Sequence, residues 1–299
     1  MNKLPTLAVL NACTVADFVE TMDGVWEHAP WIAEAVARLR TFASVDALHR
    51  AMLDHVAGLP EDRLLALLAG HPDLAGADAR GGQMTADSTA EQAGLSLARL
   101  STGEARRWDE LNAAYRGRFG FPFILCIRRH SLASALKTFE RRLANDRPTE
   151  IRLALEEIGR ITRLRLAARI ADHGLADIAG RLTTHVLDIS HGRAAAGMRI
   201  ELYEVSAAGA RRLVDAVTDS HGQTPAALLA GEPLRIGRYE LRFHVGDYFR
   251  GSPMLADVAE HEELFLDVVP VVFGVREPEG DYHVPLTVTP WAYGTYRGQ

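Results

Sequence analysis

At 299 residues the chain is long enough for two domains, and a 47% hydrophobic content with near-zero mean hydropathy gives each a core. A net charge of −6 excludes general affinity for nucleic acid or an anionic membrane surface. The two cysteines, Cys13 and Cys126, form no C-x-x-C and exclude a disulfide framework, so a reducing, cytoplasmic setting is expected. No apolar run approaches the roughly 20 residues of a membrane span. The start of the chain, with Asn11, Asp17 and Glu20, does not read as a signal peptide.

The first half reads as helix after helix. Val45, Leu48, Met52 and Val56 recur at helical spacing behind a Ser44 cap. A run from Asp62 to Ala69 leads into His71-Pro72-Asp73-Leu74-Ala75-Gly76. Gly70 ends that helix and Pro72 delays the next, so His71 sits on a turn. Ser88-Thr89-Ala90-Glu91-Gln92 follows. Imidazole, carboxylate and amide together make an acid/base with two groups that fix a polar substrate. The same residues also fit a structural reading, with His71 as a helix cap and Ser88-x-x-Glu91 as a capping box.

Trp108, Leu111 and Tyr115 mark a further helix that ends near Gly117 and Gly120, and Leu132, Leu136, Phe139 and Leu143 mark another. Between them, Phe119 to Ile127 is apolar, aromatic and broken by Gly and Pro. It predicts a buried extended segment whose backbone needs partners, either protein groups or a bound ligand. The last helix carries Ile151, Leu155, Ile158 and Ile161 and runs to about Ile170. On the helical wheel Arg165 lies within that apolar stripe, so it needs an anion: an internal carboxylate such as Glu91 or Asp73, or an anionic substrate. The arginine clusters at Arg141-Arg142 and from Arg160 to Arg169 lie in helical patterns rich in acids and read as solvated faces.

From Ala171 to Gly180 the pattern fades into a predicted linker, and then the period changes to two. Met198, Ile200 and Leu202 alternate with polar positions, as do Tyr239, Leu241, Phe243 and Val245, and Tyr282, Val284, Leu286 and Val288. Turns recur at Ser190-His191-Gly192, Ser220-His221-Gly222, Gly231-Glu232-Pro233 and Glu277 to Gly280. An antiparallel β-sandwich is expected. His283 faces away from its apolar neighbours, and His185 lies in a strand that is apolar on both sides. The two imidazoles suit hydrolysis, one as base and one orienting; no His-Glu-x-x-His or close ligand cluster supports a metal.

Residues 8 to 170 resemble the 2-oxo-4-hydroxy-4-carboxy-5-ureidoimidazoline (OHCU) decarboxylases. The matching pieces are Phe18-Val19, Glu27-His28-Ala29-Pro30-Trp31, His71 to Gly76, Ser88 to Gly94, Leu111 to Tyr115, Phe119 to Ile124, Glu157-Ile158 and Arg165-Leu166. From 181 onward the chain resembles the 5-hydroxyisourate hydrolases of the transthyretin-related family. The marks there are Leu182 to Asp188, Gly237 to Glu240, Phe243 to Phe249, Tyr282 to Leu286 and Tyr296-Arg297-Gly298.

The resemblance implies a helical decarboxylase domain (1–170), a linker (171–180) and a transthyretin-like sandwich (181–299). It implies consecutive steps of urate breakdown, opening of 5-hydroxyisourate to OHCU and decarboxylation to (S)-allantoin, with neither metal nor organic cofactor. His71 would be the acid/base, Arg165 would bind the carboxylate or ureido group, and Glu91 and Gln92 would hold the ureido and ring groups. Ser88, Pro72 and Ile124 would line the site. In the sandwich, His185 and His283 would be catalytic, with Tyr296 and Arg297 from the terminal motif. Two positions depart from the family: Gln223 stands where its Asp-Gly-Arg turn has arginine, and Gln299 stands where serine ends its Tyr-Arg-Gly-Ser. A weakened hydrolase follows, or one in which another arginine serves; the alternative is a decarboxylase whose sandwich acts in assembly or small-ligand binding. Partners are purine-degradation intermediates and further copies of the chain, as dimers or tetramers, and neither nucleic acid nor membrane.

Overall fold

The computed structural model describes residues 3–76, 84–93, 100–207, 209–250, 252–255 and 262–298; Gly94 and Gln299 lie outside them. The chain divides into two compact units, Met1–Arg128 with Ala135–Ile178, and Arg129–Ser134 with Ala179–Gln299.

The first unit is built from helices: α1 (Leu7–Ala12), α2 (Val15–Thr21), α3 (Pro30–Ala37), α4 (Val45–Ala57), α5 (Glu61–Ala69), α6 (Ala86–Ala93), α7 (Thr102–Phe119), α8 (Leu132–Arg142) and α9 (Arg147–Arg169). The Ser44 hydroxyl accepts from Ala47 N and so opens α4, and Val45, Leu48, Met52 and Val56 are all buried. Helix α7 starts in a capping box, Ser101 with Glu104, and stops at Gly120 in the left-handed region, φ 84°.

The predicted extended segment is irregular only from Gly120 to Cys126, since Phe119 still belongs to α7 and Ile127 opens a 3-10 turn, and it is buried from Phe121 to Ile127. Its backbone is held by side chains: Arg142 Nη1 donates to Ile124 O at 2.9 Å, and Glu157 Oε2 accepts from Cys126 N at 2.8 Å. The solvated-face reading of the arginine clusters is corrected at Arg165, which is buried against carboxylates of its own, and at Arg142. Arg142 is 3% exposed and pairs with Glu150, 0% exposed, which also accepts from the Tyr115 hydroxyl. Removing one partner strands a buried charge. Arg142→Met is therefore expected to cost about 3–5 kcal/mol in urea unfolding; a loss below about 1 kcal/mol would contradict the role given to this pair.

The buried face of α9 is rotated from the expected stripe. Ala154, Glu157, Ile158, Thr162 and Arg165 are buried, whereas Ile151, Leu155 and Ile161 are only half-buried. Polar groups can occupy this face because each is paired: Glu157 with Cys126 N, Thr162 with His49 at 2.9 Å, and Arg165 with carboxylates. The expected linker is also less free than its composition implies. Ala171 N donates to Pro5 O, Arg163 Nη2 donates to Ala176 O, and Leu175 is buried.

The second unit contains β1 (Arg181–Thr183), β2 (Val186–Asp188), β3 (Arg193–Ala194), β4 (Arg199–Ser206), β5 (Gly209–Val217), β6 (Gly237–His244), α10 (Val245–Phe249), β7 (Val268–Val275), β8 (Asp281–His283), β9 (Leu286–Val288) and β10 (Tyr293–Thr295). One sheet runs β10-β9-β2-β3 and the other β5-β4-β6-β7, while β1 pairs with β8. Their inner faces meet in a core that includes Leu182, Val186, Ile200, Leu202, Leu241, Phe243 and Leu286.

The all-β two-layer form is as expected. Two pairings, however, are parallel: β1 with β8 and β2 with β9. They join the first strands to late ones, a long-range pairing that period-two patterning does not encode. Arg129–Ser134 belongs to this unit for a local reason. Ser131 N and Oγ donate to Ile236 O, Ile236 N donates to Arg129 O, and Arg129 pairs with Glu279 at 2.7 Å.

Candidate active sites

In the first unit, the His71–Leu74 turn that follows α5, helix α6, the Phe123–Ile127 segment and α9 enclose a cavity. Its walls include His71, Pro72, Ser88, Glu91, Gln92, Ile124 and Arg165. All seven residues expected to form the decarboxylase site therefore share one space. Ser88, Glu91 and Gln92 reach it because positions i, i+3 and i+4 lie on one face of a helix. Helix α6 begins at Ala86, and Thr85 Oγ1 accepts from Ser88 N, so Thr85 does the capping. The capping-box reading of Ser88 and Glu91 is thereby corrected: Ser88 lies one turn inside the helix, and the Glu91 carboxylate goes to Arg165.

His71 follows the end of α5, where Gly70 takes right-handed backbone angles. Its Nδ1 lies 3.1 Å from Leu67 O. A carbonyl only accepts, so Nδ1 carries the proton and Nε2 is the basic nitrogen. Burial holds the imidazole down at about 4, against a smaller opposing effect of Leu67 O and Glu27. His71 is thus neutral near pH 7. The turn beyond it is fixed at several points: Asp73 pairs with Arg116 at 2.8 Å, Asn112 Nδ2 donates to Leu74 O, and Gln92 Oε1 accepts from Ala75 N. Ala75 is held at φ 54°, and a Cβ on Gly76 would meet Asp73 Cβ at 2.6 Å. Asp73, considered above as a partner for Arg165, is used by Arg116 instead.

Arg165 is 5% exposed and meets two carboxylates, Glu91 on the cavity side and Glu27 behind it. Burial opposes its charge, but these two anions override that and raise its pKa. Glu27 is depressed for the converse reason: burial would raise it, and Arg165, Thr85 and Ser88 bonds outweigh burial. Glu27 was visible only as part of a matching segment and received no role from sequence. It lies in a loop, 138 residues from Arg165, with no periodicity to reveal the pairing.

The acid limb of the decarboxylation profile follows from His71. Protonating Nε2 removes the base, so kcat/KM is expected to fall toward low pH with an apparent pKa near 4. A limb near the ordinary imidazole value of about 6.5 would contradict the burial.

In the second unit, Thr183 and His283 are register partners across β1 and β8, and His185 bridges Gln223. The Thr183 hydroxyl lies 2.9 Å from His283 Nδ1, a contact unforeseen from sequence because the two are 100 residues apart. Burial lowers the His283 pKa, with His185 adding to the effect. Gly298 N donates to His283 O, and a Cβ there would meet the imidazole at 2.5 Å, so the terminal glycine packs on the ring.

The structure thus brings His185, His283, Gln223 and Gly298 near one another. It does not bring in the other two expected residues: Tyr296 is 65% exposed, and Arg297 lies over the Tyr282 ring at 4.8 Å and 3.7 Å from Glu277. Among the described residues no arginine is hydrogen-bonded to either imidazole. Nor do three His, Cys, Asp or Glu side chains group as a metal would need among the described residues.

Comparisons with known proteins divide the chain the same way. The OHCU decarboxylase family model matches residues 11–167, and the HIUase/transthyretin model matches 182–298. The 5-hydroxyisourate hydrolase of Deinococcus radiodurans is 49% identical over 117 residues, 39% of this chain and 94% of that protein. The OHCU decarboxylase of Haloferax volcanii is 37% identical over 166 residues, 56% of this chain and 96% of that protein. The crystal structure of an (S)-allantoin synthase is similar along both units, at 31% identity and a TM-score of 0.51, covering 98% of this chain and all of that one. The chain belongs to the OHCU decarboxylase family through its helical unit and to the HIUase/transthyretin family through its sandwich.

Proposed function

We propose that the chain catalyses two consecutive steps: hydrolysis of 5-hydroxyisourate to OHCU in the sandwich, and decarboxylation of OHCU to (S)-allantoin in the helical unit. The observation that carries the second step is the cavity in which a neutral His71, Arg165, Glu91 and Gln92 converge. Loss of CO2 breaks one C–C bond and leaves its electron pair on the ring as an enolate-type anion. Protonation of ring carbon completes allantoin, with one proton drawn from solvent per turnover. Nε2 of His71 can take the substrate hydroxyl proton and return it to carbon from one face, which gives one enantiomer. Glu91 and Gln92 hold the ureido and ring groups, Arg165 the carboxylate, and Pro72, Ser88 and Ile124 the walls.

For the hydrolysis, His185 and His283 are the base and its partner, with Gln223 beside them. A second reading, a decarboxylase with the sandwich used for assembly, is favoured by two features. The expected arginine is replaced by Gln223, and edge strands β7 and β10 expose Val272 and Tyr293. We also propose a cytoplasmic dimer or tetramer, a reading supported by the absence of a C-x-x-C or disulfide framework and by the exposed apolar residues on edge strands β7 and β10. Among the described residues no helix is long and apolar enough to cross a membrane.

Separate assays on the full chain test both steps. With OHCU supplied by another hydrolase, the chain should yield a single enantiomer of allantoin; racemic product at the buffer rate would sink the decarboxylase assignment. Loss of 5-hydroxyisourate absorbance should be faster with the chain than in buffer and slowed by His283→Ala. Equal decay in buffer would leave only the assembly reading.

A further inference from the structure

Every N–H of Arg165 is taken by a protein partner. Nε donates to Glu91 Oε1 at 3.0 Å, and Nη2 to Glu91 Oε2 at 2.8 Å and Ser88 Oγ at 3.1 Å. Nη1 donates to Glu27 Oε2 at 2.8 Å and to Gly24 O at 2.9 Å. These bonds use the five donors of a guanidinium. An anionic substrate can reach Arg165 only by displacing a partner. The two carboxylates differ in this respect. Glu91 is 14% exposed and lines the cavity, whereas Glu27 is 1% exposed and lies outside its walls.

Glu27 is itself held. Thr85 Oγ1 donates to its Oε1 at 2.7 Å and Ser88 Oγ to its Oε2 at 3.0 Å. The loop that carries it is fixed at Gly24, φ 74°, where a Cβ would strike Asp87 at 2.5 Å and Arg169 at 2.8 Å. That pair is closed at 2.6 Å and ties α6 to α9.

We propose that Glu27 is a positioning residue: it anchors Nη1 of Arg165 and the Ser88 hydroxyl from behind while the substrate carboxylate takes the Nε/Nη2 edge that Glu91 holds in the free enzyme. This rests on the decarboxylase reading above. The exchange turns the Glu91 carboxylate toward the ureido N–H groups, so one displacement completes two contacts. The substrate carboxylate departs as neutral CO2, so a contact to it is made in the ground state and weakens as the bond breaks. Losing the anchor therefore falls on KM more than on kcat.

The test is a double-mutant cycle on the full-length protein with OHCU as substrate, read by formation of (S)-allantoin. Glu27→Gln keeps an acceptor for Arg165 and removes the charge; it should raise KM about 10-fold or more, with kcat changed by less than about threefold. In an Arg165→Met background the same change should alter kcat/KM less than about twofold, because Glu27 acts through Arg165. Should Glu27→Gln not fold, Glu27→Asp keeps the charge but withdraws the carboxylate from Nη1 of Arg165, and should raise KM about two- to fivefold. An unchanged KM in the folded variant, or equal losses in both backgrounds with a parallel drop in Tm, overturns the proposal and leaves Glu27 purely structural. A wild-type chain inactive on OHCU sinks the decarboxylase reading and this proposal together.

Discussion

His71→Ala abolishes enantioselective allantoin formation, with kcat for OHCU decarboxylation expected to fall about 10²–10⁴-fold. With Nδ1 on Leu67 O, Nε2 is the basic nitrogen of a residue in the cavity wall, and the mechanism assigns binding to Arg165, Glu91 and Gln92 around it. Far-ultraviolet circular dichroism should be unchanged. Helix α5 is closed by Gly70, whose N–H bonds Ala66 O and Leu68 O, and the turn is held through Asp73, Leu74 and Ala75 independently of the imidazole. The variant should still consume 5-hydroxyisourate at the wild-type rate, since the hydrolase residues lie in the other unit. Loss of the helical signal would make His71 structural, and full activity would remove it from the mechanism.

Gln223→Arg is expected to raise the rate of 5-hydroxyisourate hydrolysis about 10²–10³-fold, the usual worth of a charge-assisted donor to a developing oxyanion. The substitution is open to test because Gln223 is exposed. Its backbone is fixed by Asp219, whose Oδ1 accepts from Gln223 N at 3.1 Å and whose N donates to Gln223 O at 2.7 Å. A longer side chain can leave the turn without disturbing the His185 bridge. The measurement is the decay of 5-hydroxyisourate absorbance for both proteins. A change below about twofold would mean that hydrolysis needs no cation at this turn, or draws one from elsewhere.

How much of this was legible depended on how far each interaction reaches along the chain. Ser44, Gly120 and the strand periods around Tyr239 are local features, and they mark element types directly. His71 was legible as a turn residue because Gly70 and Pro72 flank it. Arg165 stood out because a charge inside an apolar helical stripe demands an anion, although the stripe itself is rotated toward Ala154 and Thr162.

The contacts of Glu27 with Arg165 and of Thr183 with His283 were not legible. Each spans 100 or more residues, through a loop in one case and a parallel strand pair in the other. Ser88-x-x-Glu91 misled for another reason. The same three-residue spacing closes a capping box or aligns two side chains on one helix face, and only the position of Thr85 decides which. The parallel β2–β9 pairing escaped for the same reason as Thr183, since side-chain alternation is identical in parallel and antiparallel strands.

The two halves have a chemical order, in that the product of the sandwich reaction is the substrate of the helical site. That one chain performs both steps, the second of them stereospecifically, is open to a single measurement. The most direct measurement is the circular dichroism of allantoin formed from fresh 5-hydroxyisourate by the full-length protein alone. A growing signal of (S)-allantoin is expected, ahead of the reaction in buffer and lost in His71→Ala; optically inactive allantoin formed at the buffer rate would show that the chain does not perform the two steps.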